Sequence, residues 1–279
     1  MFLAGLLLLP VAAYARDRFL IGVLVVYLVL GAGRFGGEWL SLPAGTPDGE
    51  ALRVVSWNLQ AGAAPHDEII DALLRLDADL VAVQELTTDV AAALEADGAV
   101  QARYPHRLLD PHRSVLGIGL LSTRPIIDAR TFNDPPAVSA RLDLGQGRIV
   151  AVFNAHATSG RIGRITFDAT ERDAALVEIR GWIDDLLDRP EPLLVLGDYN
   201  VTPDEPGYAI LSAGLRDAHR EVGLGTGWTW RPERATNLGL GLIRIDYVFT
   251  SPALSPLATD VDCAYRGDHC ILAVRIVVP

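Results

Sequence analysis

Short apolar runs that end abruptly on polar residues are the feature of this chain that most restricts its fold. The clearest is residues 192–200, where a Leu-Leu-Val-Leu run is followed by Gly197, Asp198 and Asn200. Side chains alternate along a strand, so Asp198 and Asn200 share one face, while Gly197 permits a sharp exit from the strand. Taken alone, the pattern is more typical of an ordinary turn. Its interpretation therefore depends on the other runs.

Four further clusters lie where a strand is expected to begin or end, and each offers side chains that contact water, metals or phosphate. In layered α/β folds, ligands bind at the carboxyl ends of strands. Each cluster alone is explained by a turn, a helix cap or a packed histidine, but the set as a whole is not. We therefore expect these side chains to converge. They are Asn58 after residues 54–57, Glu85 after 80–84, His156 after 150–155, and Asp268 with His269 before 271–277.

The spacing of apolar residues predicts strands and helices throughout residues 51–279, which we expect to form one domain. Turns within residues 115–155 are too short for helices, so the strands there are expected to pair antiparallel. Two sheets packed face to face, with helices outside each, would bury all of these elements. The predicted strands are 52–57, 79–84, 115–122, 126–132, 138–144, 148–155, 193–196, 245–249, 258–263 and 271–277, and the predicted helices are 67–76, 88–96, 168–188 and 205–211.

Two almost wholly apolar segments, residues 2–15 and 19–33, precede this domain. Each is shorter than the roughly 20 residues that cross a bilayer upright. Three interpretations stay open: a short membrane hairpin, a single anchor formed mostly by the second segment, and a secretion signal. In the hairpin and single-anchor interpretations, the arginines between the segments favour the cytoplasm, so the domain that follows the second segment lies outside. A cleaved signal also exports the domain, so each interpretation places the domain outside the cytoplasm. We predict a membrane anchor over residues 1–33 and a Gly- and Pro-rich linker over 34–50.

Charge and cysteine content restrict the partners. The formal net charge of −11 disfavours a polyanion such as nucleic acid without excluding it. Cys263 and Cys270 form a disulfide in an oxidising compartment and are otherwise unlinked thiols, with neither alternative preferred. Two cysteines alone do not make a zinc site. We expect a monomer.

In this order, the polar segments resemble the endonuclease/exonuclease/phosphatase superfamily, which includes DNase I, inositol polyphosphate 5-phosphatases and bacterial sphingomyelinases. The resemblance runs from about residue 52 to the C-terminus. It implies a four-layer α-β-β-α sandwich of two mixed, largely antiparallel sheets, and a phosphoesterase that uses Mg²⁺, with Mn²⁺ as a substitute. The segments that carry it are residues 56–58, 84–85, 117–126, 154–156, 197–200, 244–247 and 267–269.

The resemblance also implies roles for the polar side chains around the metal. Glu85 is the principal metal ligand, Asn58 lies beside it, and Asp268 completes the cluster. Magnesium is usually coordinated by a small number of protein carboxylates together with waters and substrate oxygens. Asp198 orients or deprotonates the attacking water, and Asn200 binds a phosphate oxygen as a neutral donor.

Two histidines complete the implied site. Asp246 hydrogen-bonds His269, fixes its tautomer and favours the imidazolium, which stabilises the transition state. His156 donates to a non-bridging oxygen or protonates the leaving group. The chain departs from the family pattern at Gly267, where a serine is usual. It also lacks an evident acid to support His156.

Two loops near these segments hold arginine and tryptophan residues that are candidate substrate contacts. Surface charge explains the arginines equally well, and packing is favoured for at least one of the tryptophans. The candidates are Arg161, Arg164, Trp228 and Arg231, with Trp230 beside them.

A tethered, acidic external domain is similar in layout to the membrane-anchored bacterial phosphatases linked to teicoplanin resistance, which are thought to act on isoprenoid lipid phosphates. That similarity predicts hydrolysis of a phosphate or pyrophosphate ester on a lipid carrier, at the outer face of the cell membrane. The alternative is an exported Mg²⁺-dependent nuclease or phosphodiesterase, either DNase I-like or sphingomyelinase-like. A catalytically inactive binding module is disfavoured because the whole set of polar residues is intact.

Overall fold

The computed structural model of the chain describes residues 4–39, 47–162, 167–232 and 239–279. The strands are β1 Glu50–Asn58, β2 Leu80–Gln84, β3 His106–Asp110, β4 Ile118–Ser122, β5 Ile126–Asn133, β6 Pro136–Asp143, β7 Ile149–His156, β8 Arg161–Ile162, β9 Phe167–Asp168, β10 Leu193–Asp198, β11 Arg216–Asp217, β12 Asp246–Thr250, β13 Ser255–Asp262 and β14 Ile271–Val278. The helices are α1 Ala4–Tyr14, α2 Arg18–Trp39, α3 His66–Arg75, α4 Thr88–Ala96, α5 Gly98–Arg103, α6 Thr170–Leu187, α7 Pro206–Ser212 and α8 Ala218–Val222, with a 3₁₀ turn at Gln60–Gly62.

Two mixed sheets form the centre of the domain. The strand order of the first is β13-β14-β1-β2-β4-β3, in which β1 and β2 run parallel and the other neighbours antiparallel. The second has the order β11-β12-β10-β7-β6-β5, with β7 and β10 as its parallel pair. Parallel neighbours end at the same edge of a sheet. Each sheet therefore brings two strand ends side by side.

Three hydrophobic clusters hold the layers together. Val54 and Val152 belong to the cluster between the two sheets. On the outer face of the first sheet, Leu73 of α3 packs with residues of α4 and α5. On the outer face of the second, Ile179 of α6 packs with residues of α7. The layers are thus α-β-β-α, as the resemblance implies, and both sheets are mixed.

The apolar N-terminal segments form α1 and α2. Among the described residues, no helix combines the length and hydropathy of a membrane span. This finding does not support the predicted spanning segments in residues 1–33. The helix α2 continues to Trp39, into the range of the predicted linker, and no proline lies between Arg18 and Pro43. The linker residues 40–46 lie outside the described part of the chain.

The two cysteines, for which the sequence leaves two alternatives open, are joined. A disulfide links Cys263, just after β13, to Cys270, just before β14. The loop that it closes contains Asp268 and His269.

Candidate active site

The ends of neighbouring strands bring the predicted polar residues together at one edge of the sheets. Asp198 ends β10 and lies opposite His156 of β7 on one side and opposite Asp246 of β12 on the other. In the first sheet, Asn58 ends β1, and Glu85 follows the neighbouring β2 with a left-handed φ of 53°. Such a φ is uncommon outside glycine and turns the chain sharply. A hydrogen bond from Asn58 to Asp198 connects these two sets of strand ends.

Asp246 and His269 form the buried pair that the resemblance implies. Nδ1 of His269 lies 2.9 Å from Oδ2 and 3.1 Å from Oδ1 of Asp246. Its Nε2 lies 3.5 Å from Oδ2 of Asp198. Burial by itself lowers the pKa of this imidazole, but the carboxylates of Asp246 and Asp198 outweigh it and raise the pKa of His269 to about 10. His269 is therefore an imidazolium at neutral pH.

Asp198 lies at the centre of the polar cluster. It is 1% exposed and accepts hydrogen bonds from Nδ2 of Asn58 at 2.9 Å and from the backbone N–H of Asn200 at 3.0 Å. Burial, followed by the nearby carboxylate of Asp246, raises the pKa of Asp198 to about 7. A carboxyl with a pKa near the working pH is suited to general-base catalysis.

A backbone carbonyl orients His156, for which the sequence offers no evident supporting acid. Nδ1 of His156 lies 3.2 Å from the carbonyl oxygen of Val115. Because a carbonyl only accepts hydrogen bonds, Nδ1 carries a proton. Nε2 then faces Oδ2 of Asp198 at 3.6 Å and Oε1 of Glu85 at 3.8 Å. Because Nδ1 is protonated, Nε2 accepts a proton in the neutral form of the ring and donates one as the imidazolium. Burial lowers the pKa of His156, which favours the neutral form.

The predicted metal ligands lie around the same opening. Oε1 of Glu85 accepts a hydrogen bond of 3.2 Å from Asn58, and burial raises the pKa of Glu85. The backbone N–H of Asp268 donates to Oε1 of Gln60 at 3.0 Å. Oδ2 of Asp268 accepts from Nε1 of Trp230 at 3.2 Å. Oδ1 of Asp268 is buried and has no hydrogen-bond partner within the described ranges.

These groups fit a divalent cation. A buried carboxylate oxygen without a donor and a second carboxylate with a raised pKa are both stabilised by a nearby positive charge. Glu85 and Asp268 supply hard oxygen atoms, which Mg²⁺ prefers. A separate group, Asp198 with Asp246 and His269, brings its donor atoms within 4.8 Å of one another. Because His269 already contacts both carboxylates, we interpret that group as proton-handling.

Asn200 is fixed by bonds on both sides of its turn. Its φ is 50°, its Nδ2 donates to the carbonyl of Ala157 at 2.9 Å, and its own carbonyl accepts from Arg172 at 3.1 Å. Arg172 is 2% exposed and also contacts Glu205 at 2.6 Å. The buried guanidinium thus holds the backbone at the position where a phosphate-binding amide is predicted.

A cavity of about 710 Å³ opens over these groups. The carboxylates of Glu85 and Asp198 and both histidines line one part of it, which is therefore polar and charged. Apolar side chains form another part of the wall. Among them, Val115 is 45% exposed, Leu116 43% and Ile243 37%. Such a cavity suits a ligand with one charged and one apolar end.

The predicted substrate contacts are placed differently from one another. Arg231 is 1% exposed and donates to backbone carbonyls of the loop before Asp268, so it supports that loop and is not a substrate contact. The side chain of Arg161 is 73% exposed and pairs with an acid of α6 at 2.8 Å. Trp228 is 38% exposed. Arg164 lies outside the described residues.

Several contacts that shape the site carry no signal in the sequence. Oγ1 of Thr229 accepts from the backbone N–H groups of Ile245 and Asp246 at 3.2 and 3.1 Å and so fixes the start of β12. Gln60 and Trp230 orient Asp268 as described above. All of these bonds join residues more than ten positions apart, whereas periodicity reports only local structure.

Comparison with known proteins agrees with this geometry. The model of the Endonuclease/Exonuclease/phosphatase family matches residues 55–269. That range contains each of the predicted catalytic and metal-binding residues. No curated protein matches the chain.

Solved structures share the fold at low sequence identity. A variant of the 3′ phosphatase NExo from Neisseria, bound to a product DNA hairpin, is 20% identical with a TM-score of 0.65, covering 80% of this chain and 98% of the other. Humanized D. rerio TDP2 is 17% identical with a TM-score of 0.61, covering 81% and 98%. An endonuclease/exonuclease/phosphatase family protein from Bacteroides thetaiotaomicron is 18% identical with a TM-score of 0.61, covering 83% and 99%. These likenesses show the fold alone.

Proposed function

The chain belongs to the endonuclease/exonuclease/phosphatase family, which makes it a metal-dependent phosphoric ester hydrolase, and we propose that its cavity hydrolyses a phosphate or pyrophosphate ester with Mg²⁺. The position of Asp198 carries this proposal. Its Oδ2 lies 3.6 Å from Nε2 of His156 and 3.5 Å from Nε2 of His269. A carboxyl with a pKa of about 7 between two imidazoles provides both a proton acceptor and donors for in-line attack by water.

Asp198 orients the attacking water and accepts its proton. The hydrogen bonds from Asn58 and Asn200 hold the carboxylate in one orientation. As water attacks, negative charge grows on the phosphate oxygens, and the imidazolium of His269 stabilises that charge. Asp246 keeps the ring of His269 in place and charged.

His156 and Asn200 act on the other oxygens of the phosphate. Val115 fixes the ring of His156, so that Nε2 points into the cavity. In its imidazolium form, His156 donates to a non-bridging oxygen or to the leaving group. Asn200 contributes a neutral amide donor at the cavity wall.

Glu85, Asn58 and Asp268 would hold Mg²⁺, and Mn²⁺ would substitute for it. When bound, the ion neutralises phosphate oxygens and stabilises developing charge. Gln60 and Trp230 keep Asp268 turned toward the opening through its backbone N–H and its Oδ2.

Replacing Glu85 with glutamine is expected to raise the Mg²⁺ concentration for half-maximal activity by at least roughly tenfold. The substitution keeps the shape of the side chain but removes its charge. Titration of phosphate release against Mg²⁺ measures the effect, and EDTA should abolish release until Mg²⁺ or Mn²⁺ is restored. Glu178→Gln, at an exposed position on α6, is the matched control. An unchanged Mg²⁺ requirement in Glu85→Gln contradicts the assignment.

We further propose that the catalytic domain acts outside the cytoplasm, at the outer face of the membrane, on an isoprenoid lipid phosphate or pyrophosphate. Four observations support this. The cavity wall includes exposed apolar side chains. Cys263 and Cys270 form a disulfide, a bond that persists in oxidising compartments. Tyr14 and Phe19 beside the turn between α1 and α2 are 92% and 83% exposed, which suits contact with lipid. The net charge of −11 disfavours a long polyanion.

Replacing Leu116 with serine is expected to lower the preference for a long-chain over a short-chain phosphate ester by about fivefold. An apolar side chain that covers a hydrocarbon chain contributes on the order of 1 kcal/mol, since Leu116 is only partly exposed in the free protein. The ratio of the two kcat/KM values, measured with prenyl phosphate and glycerol phosphate, gives the effect. Leu224→Ser, at a loop position that is 75% exposed, should leave the ratio unchanged. If Leu116→Ser has the same ratio as the wild type, the apolar wall does not contact the hydrocarbon chain of the substrate.

The alternative is an exported nuclease or phosphodiesterase. It is favoured by the similarity in fold to NExo, a 3′ phosphatase whose structure holds product DNA. One experiment separates the two: the chain is incubated with Mg²⁺ and, in turn, undecaprenyl pyrophosphate, a sphingomyelin-type lipid, plasmid DNA and a DNA hairpin with a 3′ phosphate, with EDTA controls. Phosphate release from the prenyl lipid alone supports the proposal. Nicked plasmid or a dephosphorylated hairpin without lipid turnover overturns it.

A further inference from the structure

The loop that carries Asp268 and His269 is closed at its base. The disulfide joins Cys263 to Cys270, seven positions along the chain, with their Cα atoms 4.4 Å apart. The backbone N–H of Cys270 donates to the carbonyl of Thr229 at 2.6 Å. The two site residues of this loop therefore sit directly beside a covalent cross-link.

Arg231 fills the interior of the same loop. Its Nη1 donates to the carbonyl of Cys263 at 2.8 Å, and its Nη2 donates to the carbonyls of Tyr265 at 2.9 Å and Gly267 at 3.4 Å. Its backbone N–H donates to the carbonyl of Asp268 at 2.8 Å. Burying a guanidinium is unfavourable unless its donors are satisfied. Here one buried side chain contacts three loop carbonyls.

Gly267 gives this loop an unusual backbone conformation. Its φ of 124° lies in a region that L side chains rarely adopt. The family's usual serine at this position would be strained in this backbone. The chain instead combines a flexible glycine with a cross-link and a buried arginine, which together restrict the backbone before Asp268.

We propose that Arg231 and the Cys263–Cys270 disulfide are positioning elements that hold Asp268 and His269 in the active arrangement. Neither touches substrate. Arg231 acts through the loop carbonyls, and the disulfide acts through the ends of the loop. The inference rests on the proposed function, because Asp268 is its predicted metal ligand and His269 its charged donor. It adds that activity depends on the oxidised state of these two cysteines.

Reduction of the wild-type chain is the first test. A dithiol reductant breaks the S–S bond, yields two thiols on the protein and is itself oxidised to a cyclic disulfide, so two electrons and two protons are transferred. Hydrogen–deuterium exchange of the metal-free protein then reports on the loop. The amides of Asp268 and Cys270, which are bonded to Gln60 and Thr229, should exchange at least tenfold faster after reduction.

Arg231→Lys is the second test. Lysine keeps the charge, but its single nitrogen does not reproduce the fork that contacts three carbonyls. The variant should show the same faster exchange, bind Mn²⁺ about tenfold more weakly by calorimetry, and lose kcat about tenfold with a smaller change in KM. Arg275→Lys, at an exposed position on β14, is the matched control and should change none of these.

The two changes should also be non-additive. Both changes act on one loop. Reduction of the disulfide in the Arg231→Lys variant should therefore lower kcat by less than the product of the two separate effects. If exchange, Mn²⁺ affinity and kcat all stay within twofold in both altered forms, the proposal is overturned. Loss of the far-ultraviolet circular dichroism signal in both forms also overturns it, since the loop would then serve folding rather than position.

The exchange and Mn²⁺ measurements do not require turnover. If the wild-type chain hydrolysed none of the esters named above, the proposed function would fail. Loss of loop protection and of Mn²⁺ binding would still support the positioning roles of Arg231 and the disulfide.

Discussion

Asp198→Asn is expected to lower kcat/KM by about 10³-fold to 10⁴-fold, in the range that general-base catalysis contributes. The amide has the shape of the carboxyl group but accepts no proton from water. It also removes the charge that lies 3.6 Å from His156 and 3.5 Å from His269. Because Asp198 is 1% exposed and its pKa is raised mainly by burial, a neutral side chain of equal volume should not destabilise the fold.

Initial rates of phosphate release at saturating Mg²⁺ measure this effect, and circular dichroism with a thermal melt checks the fold. The matched control is Asp185→Asn, an exposed position on α6, which should retain full activity. Turnover of Asp198→Asn within tenfold of the wild-type rate, with the same Tm, would show that another group activates the water. Glu85 would then be the first candidate, because its pKa is also raised by burial.

The strand ends of the site are predictable from local sequence because their chemistry follows directly from strand geometry. A buried strand needs a run of apolar residues, and the first polar residues after it must lie at the sheet edge. This is why Asp198 and His156, predicted separately, face each other across the parallel pair β7 and β10. The pairing of Asp246 with His269 followed from the family resemblance, and the structure places their side chains 2.9 Å apart.

Groups that act through the backbone are not predictable in the same way. Any residue can supply the carbonyl that Val115 offers to His156, so the sequence carries no signal for it. Arg231 is a residue whose role the sequence predicts wrongly. An arginine beside tryptophans in a loop is typical of a substrate contact, but Arg231 is buried and donates to backbone carbonyls that are distant in the sequence. The sequence does not predict the edge strand β3, because all five of its residues are only partly buried and they form no apolar run.

Asp246→Asn is expected to lower kcat/KM by about 10²-fold to 10⁴-fold, since a buried carboxylate that orients a catalytic imidazole has effects of this size. In the wild type, Asp246 and Asp198 outweigh burial and raise the pKa of His269 to about 10. Without the Asp246 charge, that pKa falls. An amide can also donate to Nδ1, which favours the tautomer that is protonated at Nε2 instead of Nδ1.

The direction of the pH dependence follows from this shift. His269 is charged below its pKa, so the wild-type imidazolium persists until the pH rises toward about 10. In Asp246→Asn the imidazolium is lost at lower pH, and the alkaline limb of kcat/KM against pH should move in the same direction. Rates measured from pH 6 to 10, together with an NMR titration of His269 in the metal-free protein, test both parts. Asp260→Asn, exposed on β13, should leave the limb in place. An unmoved limb in Asp246→Asn would mean that His269 does not act as the charged donor, and the transition-state charge would have to be stabilised by His156 and the bound metal ion alone.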